Sequence, residues 1–236
     1  MIKKNIEIYP DISAIGDRLA EFLNKAKDRR ISVVLSGGNT PKMIFNHLGK
    51  DHASIAWQNI DFFWGDERCV PPDHPESNYR MAKIHLFDTI RPETLNIHRI
   101  QGENPPEYEI PRYQKEIMEY VKLKGQKPVF DIIMLGIGED GHTASIFPDQ
   151  LHLLSSENIC ELAIHPQTGQ RRITLTGPVI KMAKNIVFIA TGKNKSLIIS
   201  RILRNGKGCE SLPAYQINPE NGQLFWLIDE KASSDL

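Results

Sequence analysis

Basic and acidic side chains number 29 each across 236 residues, so the chain has zero formal net charge and offers no long-range field to nucleic acid or to an anionic membrane. With 40% hydrophobic and 25% charged residues it has ordinary globular composition, which argues against disorder, and the length suits one large domain, 1–236. Three scattered cysteines (Cys69, Cys160 and Cys209) form no C-x-x-C pair, the N-terminus lacks the apolar core of a signal peptide, and no uncharged apolar run reaches the ~18 residues that span a bilayer, so a reducing, cytoplasmic location is expected.

Ile2 to Ile8 reads as a first strand. Asp11 then suits an N-cap, and Ile12, Ile15, Leu19, Phe22, Leu23 and Ala26 follow at helical spacing. Ile31–Ser36 is short and almost wholly apolar, as a strand buried on both faces should be. The next helix has Met43, Ile44 and Leu48 on its apolar side. Further buried strands are expected at Ile60–Asp66, Asp131–Ile137 and Asn185–Gly192. A helix carrying Leu197, Ile198, Ile202 and Leu203 follows the last of these, and Gln223–Asp229 forms a late strand. The stretch from Arg91 to Pro128 is richer in Pro, Glu and Lys and holds a helical piece over roughly 111–124. Alternation of this kind predicts an α/β fold with a largely parallel sheet and helices on both faces, a three-layer αβα arrangement. Ligands then bind beyond the carboxyl ends of the strands.

Three polar segments follow directly after apolar strands and should therefore gather at one edge of the sheet. The first is Ser36-Gly37-Gly38-Asn39-Thr40-Pro41. Its glycines permit a tight turn, Thr40 suits an N-cap and Pro41 the first helical position, which makes either a phosphate cradle or an ordinary strand-to-helix turn. It lacks the G-K-[ST] ending of a Walker A loop. The second is Gly65-Asp66-Glu67-Arg68. Here a carboxylate can orient water or a sugar hydroxyl and a guanidinium can grip phosphate; a surface ion pair is the plainer alternative. The third runs from Gly136 to Thr143 and contains a formal G-x-G-x-x-G. A dinucleotide fingerprint needs a long helix opening at its third glycine, which Pro148 forbids, and no clean βαβ continuation follows. The more informative residue is His142, because a histidine titrates near neutral pH and can take a proton from water. Arg171 and Arg172 open an alternating strand, and Lys193 and Lys195 follow another; either pair can supply an anion contact or stand solvated. No G-x-S-x-G or H-E-x-x-H occurs, and the eight histidines do not pair at metal-ligand spacing, so no metal is expected.

SGGNTP, WGDERCVPPDHPESNYRMA, LGIGEDGHTASIFP, RITLTGPVI, ATGKNKS and the closing WLID, in that order along nearly the whole chain, resemble the 6-phosphogluconolactonase family. The related glucosamine-6-phosphate deaminases and isomerases typically read DEY where this chain has Asp66, Glu67 and Arg68, and GHIAFNEP where it has GHTASIFP; both differences favour the lactonases. Asn39 stands where the lactonase loop often has serine. The resemblance implies a Rossmann-like core and hydrolysis of 6-phospho-D-glucono-1,5-lactone in the oxidative pentose phosphate pathway, with no metal and no organic cofactor. It implies His142 as the base and Asp66 as a second catalytic residue. Ser36, Gly37, Gly38, Asn39, Thr40, Arg68, Asp140, Arg172 and Lys195 would lie around the sugar phosphate. A deaminase or isomerase acting on an amino-sugar phosphate is the competing enzyme, and a non-catalytic sugar-phosphate-binding domain the competing class. Neither nucleic acid nor membrane is an expected partner, and nothing in the sequence sets the oligomeric state.

Overall fold

The computed structural model describes residues 4–52, 54–90 and 95–236. In chain order the strands are β1 (Lys4–Tyr9), β2 (Ile31–Leu35), β3 (Ile60–Trp64), β4 (Asp66–Arg68), β5 (Asn96–Ile97), β6 (Leu123–Lys124), β7 (Lys127–Pro128), β8 (Ile132–Leu135), β9 (Cys160–Ile164), β10 (Arg171–Leu175), β11 (Asn185–Ala190) and β12 (Gln223–Asp229). The helices are α1 (Ile12–Leu23), α2 (Asn39–Asp51), α3 (Asn78–Ala82), α4 (Asp88–Ile90), α5 (Pro106–Tyr120), α6 (Gly177–Lys181), α7 (Ser196–Leu203) and α8 (Pro213–Gln216). None of these helices is long and apolar enough to cross a membrane.

Seven strands build the main sheet in the order β1-β12-β11-β8-β2-β3-β5, and every pair is parallel. Each of β2, β3, β8 and β11 is buried along its whole length, which explains why their sequences are apolar but for Ser32, Asp61 and Asn185. The chain winds from β2 through β3 to β5 on one side and from β8 through β11 to β12 on the other. Strand order therefore reverses between β2 and β8, and the loops leaving their carboxyl ends part to open a crevice. Phe188 and Trp226 stack at 4.3 Å on one half of the sheet, and Phe63 meets Phe130 edge-on at 5.3 Å across the centre. Burying each such ring contributes about 1.5–3 kcal/mol. The Tyr113 hydroxyl on α5 accepts from the Trp64 N–H and donates to the Trp64 carbonyl, both at 2.9 Å, and so pins the end of β3.

Several elements depart from the sequence reading. The strand expected over Ile60–Asp66 stops at Trp64. Gly65 breaks it, and Asp66–Arg68 joins a separate antiparallel sheet of order β4-β10-β9. Helix α2 starts at Asn39 with Gly38 as its N-cap, so Thr40 lies inside the first turn. Met43 and Leu197 are exposed, because their helices bury Ile44, Phe45 and Leu48, and Ile198 and Ile202, instead. Helix α5 begins at Pro106 and carries Pro111 within it; Pro111 and Glu107, whose carbonyl loses its donor, are both exposed and open to water. The Asp11 cap is as expected, accepting from the Ala14 N–H at 3.0 Å. Ile2 of the expected first strand, and 91–94 of the Pro-rich stretch, lie outside the described residues. Finally, His47 and His52 do meet in space, together with Asp17.

His98 stacks on Phe63 at 4.5 Å, with Nδ1 3.0 Å from Glu116 and Nε2 3.8 Å from Asp61. Burial favours the neutral ring, but Asp61 and Glu116 outweigh it and raise the pKa to about 8. A group raised above its unfolded value stabilises the fold fully below the unfolded pKa, near ~6.5, and loses that contribution as pH rises through about 8. Unfolding free energy measured in urea should therefore fall by about 1–2 kcal/mol between neutral and mildly alkaline pH. A His98→Gln variant should lack that decline.

Candidate active site

The crevice at the β2/β8 switch is a cavity of about 630 Å³. It collects the three predicted loops. Ser36, Gly37, Gly38, Asn39, Thr40, Asp66, Arg68, His142, Arg172 and Lys195 all line it. Asp140 does not stand on that wall; it lies behind the His142 ring.

The loop after β2 owes its shape to two glycines with different duties. Gly38 has φ 107° and ψ 178°, a backbone region open only to glycine. Gly37 makes room for a neighbour, since a Cβ there would fall 1.8 Å from Asn78 Oδ1. The N–H groups of Asn39 and Thr40 in the first turn of α2 have no intrahelical acceptor, and the positive end of the helix dipole faces the same way. The Thr40 hydroxyl pairs with that of Thr191 at 2.9 Å, tying this loop to the one after β11. The Ser36 hydroxyl is buried against the cavity without a partner among the described residues.

Beside this loop, across Asn78, Asp66 is buried. Its Oδ2 accepts from the Ser145 hydroxyl at 2.6 Å, and Asn78 Nδ2 donates to its carbonyl at 2.8 Å. Arg172 Nη1 donates to the same Ser145 hydroxyl at 3.4 Å. Burial lowers the Arg172 pKa, and the Asp66 charge opposes that effect. Arg172 reaches the cavity through strand register: β10 pairs with β4 so that Arg172 stands opposite Arg68 and Thr174 opposite Asp66. Arg68 Nη1 donates to the Glu76 carbonyl at 2.7 Å, while its Nε is buried and unpaired among the described residues. Glu67 between them faces inward. It accepts from the N–H groups of Arg68, Asn78 and Tyr79, each at 2.8 Å, and from the Ser77 hydroxyl at 3.0 Å. Burial pushes its carboxyl pKa up, and these four donors pull it down. Glu67 thus fastens β4 to the start of α3.

His142 sits in a tight loop. Gly141, at φ 83°, donates to the Gly138 carbonyl at 3.0 Å, and Gly138 donates to the His142 carbonyl at 2.9 Å. The Asp140 Oδ1 lies 2.6 Å from His142 Nδ1 and also accepts the His142 backbone N–H at 3.1 Å. Burial pushes the Asp140 pKa up, but its contacts with His142 prevail and hold it below the ordinary carboxylate value. A carboxylate on Nδ1 favours a proton there and leaves Nε2 as the basic nitrogen. The ring packs 4.9 Å from Phe147, and Arg172 lies over the same phenyl ring at 5.7 Å. Ala144 takes a left-handed φ of 49°, a strain of about 1–2 kcal/mol, in the turn that closes with Ser145 on Asp66.

Sequence reasoning missed Asn78, Ser145 and Glu67. Asn78 and Ser145 stand in segments that carry the resemblance, ESNYRMA and GHTASIFP, but nothing local marks either as a partner of Asp66. It also missed Asn194, whose Nδ2 donates to Glu139 at 2.6 Å and joins the loops after β11 and β8. Of the two residues expected to be catalytic, His142 has its imidazole against Asp140, while Asp66 contacts Ser145 and Asn78. A small, partly enclosed cavity with three cations, one imidazole–carboxylate pair and free helix N–H groups suits an anionic sugar derivative attacked by water.

The family model for glucosamine-6-phosphate isomerases/6-phosphogluconolactonase matches residues 12–226. A 6-phosphogluconolactonase from Haemophilus influenzae is 42% identical over 228 residues, covering 95% of this chain and 96% of its own. Among solved structures, a devB protein superposes with a TM-score of 0.93 at 38% identity, over 99% of this chain and all of its own. The 6-phosphogluconolactonase from Thermotoga maritima superposes with a TM-score of 0.84 at 27% identity, over 97% of this chain and 100% of its own.

Proposed function

The chain belongs to the glucosamine-6-phosphate isomerase/6-phosphogluconolactonase family and is a lactone hydrolase of the pentose phosphate pathway, and we propose that it works with His142 as the base. Its substrate is 6-phospho-D-glucono-1,5-lactone, and we read the chain as one domain acting in the cytoplasm. The observation that carries the mechanism is the 2.6 Å contact between Asp140 and His142 Nδ1, which leaves Nε2 for a water.

A lactone is an activated ester, so no covalent nucleophile is needed. His142 Nε2 takes a proton from water as the water oxygen bonds to the carbonyl carbon. The carbonyl electrons move onto oxygen, and the cations that line the cavity favour that charge. When the intermediate collapses, the bond to the ring oxygen breaks and the imidazolium returns its proton to that oxygen. The products are the neutral imidazole and 6-phosphogluconic acid, whose new carboxyl group gives its proton to solvent to leave 6-phosphogluconate. Asp140 holds the ring through Nδ1, with Nε2 left for the water. Asp66 acts as a positioning residue, holding Ser145 and through it Arg172.

The phosphate end seats on the N–H groups at the start of α2, with Thr40, Arg68 and Lys195, and its binding energy positions the carbonyl carbon. Arg68 has an Nε to offer that is unpaired among the described residues, and a charged hydrogen bond is worth about 1.5–3 kcal/mol. Arg68→Ala should therefore raise KM roughly tenfold to a hundredfold with kcat little changed. The substrate is made in place from glucose 6-phosphate, with spontaneous opening subtracted. The loss should shrink with glucono-1,5-lactone, which lacks the phosphate. An unchanged KM would move the phosphate elsewhere. Absence of any rate above background, with ammonia released from glucosamine 6-phosphate, would replace the lactonase reading with the deaminase one.

A further inference from the structure

Away from the cavity, Asp17 of α1 faces the far end of α2. His47 lies one turn before the end of α2, and His52 is the residue that ends it. His47 Nε2 stands 2.7 Å and His52 Nε2 2.8 Å from the same Asp17 Oδ1, and the two nitrogens are 3.4 Å apart. Five residues separate the histidines, a spacing that a continuous helix would not bring to one face. They converge because His52 leaves the helix with φ −122° and ψ 46°, folding its ring edge-on against His47 at 5.2 Å.

We propose that Asp17, His47 and His52 form a binding site for a divalent transition-metal ion such as Zn²⁺, clamping α1 to α2. Two imidazole nitrogens and one carboxylate are a common zinc donor set, leaving the fourth position to water. Zinc bonds of about 2.0–2.1 Å place tetrahedral ligand atoms about 3.3 Å apart. The two imidazole nitrogens already have that separation. Each contact to Asp17 needs to open by roughly half an ångström, and the exposed Asp17 side chain is free to move that far. Two further features suit a built site. Asp51 Oδ2 lies 2.9 Å from His47 Nδ1, the outer carboxylate that fixes a metal-bound imidazole with Nε2 facing the ion. Gly16 gives the His47 ring its place, since a Cβ there would fall 2.4 Å from Cδ2. Roughly 12 Å of helix lies between His47 and the phosphate loop at Asn39, so the site is separate from the chemistry.

The test is Zn²⁺ titration of the intact protein against a chromophoric chelator, alongside thermal melting. The expected result is saturable binding of one Zn²⁺ per chain at micromolar concentration, with a melting temperature that rises as the site fills. His47→Gln combined with His52→Gln should abolish the binding and the Zn²⁺-dependent rise in melting temperature while leaving lactone hydrolysis as it was. Asp51→Asn should weaken binding by about tenfold to a hundredfold. His142→Ala should retain it, which separates this site from the imidazole and carboxylate of the cavity. No saturable binding by the wild type, or undiminished binding by the double variant, would overturn the proposal.

Discussion

Replacing His142 with alanine should lower kcat for lactone hydrolysis by about 10²–10⁴-fold while KM stays close to that of the wild type. That range is what a positioned base contributes when it accepts a proton in the transition state. The effect should fall on kcat because the proposed phosphate seat is built from other residues and is left intact. The fold should survive. His142 is partly exposed and its one aromatic contact among the described residues is with Phe147, so truncation should cost no more than about 1 kcal/mol in a denaturant titration. The uncatalysed opening of the lactone sets a floor, and the assay must follow the rate above it. A folded variant with wild-type kcat would remove His142 from the mechanism, and would leave the Asp140 contact without a catalytic role.

Gly138→Ala should lower kcat by about 10²-fold through geometry alone, the scale on which a displacement of about 1 Å acts on a catalytic group. A Cβ at this position would lie 2.1 Å from His142 Nδ1 and 2.3 Å from Asp140 Oδ1, far inside van der Waals contact. The backbone of Gly138 is not in the left-handed region, so alanine is acceptable to the chain itself and the collision is with the pair. Imidazole and carboxylate must part or turn, and Nε2 then leaves its place beside the attacked carbon. Neither the loop after β2 nor Arg68 is disturbed, so KM should hold. Steady-state kinetics with and without the substitution decide the matter. A variant with normal kcat would mean that the 2.6 Å contact between Asp140 and His142 is not needed for turnover.

The site was legible in unequal parts. His142 and the Gly37-Gly38 loop, both of which line the cavity, could be singled out because their signals are local. A glycine pair between a buried strand and a helix marks either an anion cradle or a tight turn, and a histidine in a glycine-rich loop at a strand's end is poorly suited to packing. Asp140 is only two residues from His142, but the local pattern does not choose which group meets the ring. That choice depends on the turn at Gly141, with its φ of 83°, which brings Asp140 back onto Nδ1. Asn78 and Ser145 escaped notice because each acts on Asp66 from far along the chain, one from the start of α3 and the other from the turn at Ala144.

Composition and periodicity by themselves determined the α/β class and the gathering of three loops at one sheet edge. Buried parallel strands must be apolar along their length, and parallel connections must return every strand end to the same side. What only the tertiary structure decided are the contacts that depend on register and on single backbone angles. The entry of Arg172 through pairing of β10 with β4 is one. The meeting of His47, His52 and Asp17 is another: His52 leaves the helix just past Asp51, and Asp17 comes from a different helix. Side chains on separate elements meet where packing brings those elements together, and a pattern read along one strand or one helix contains no record of that distance.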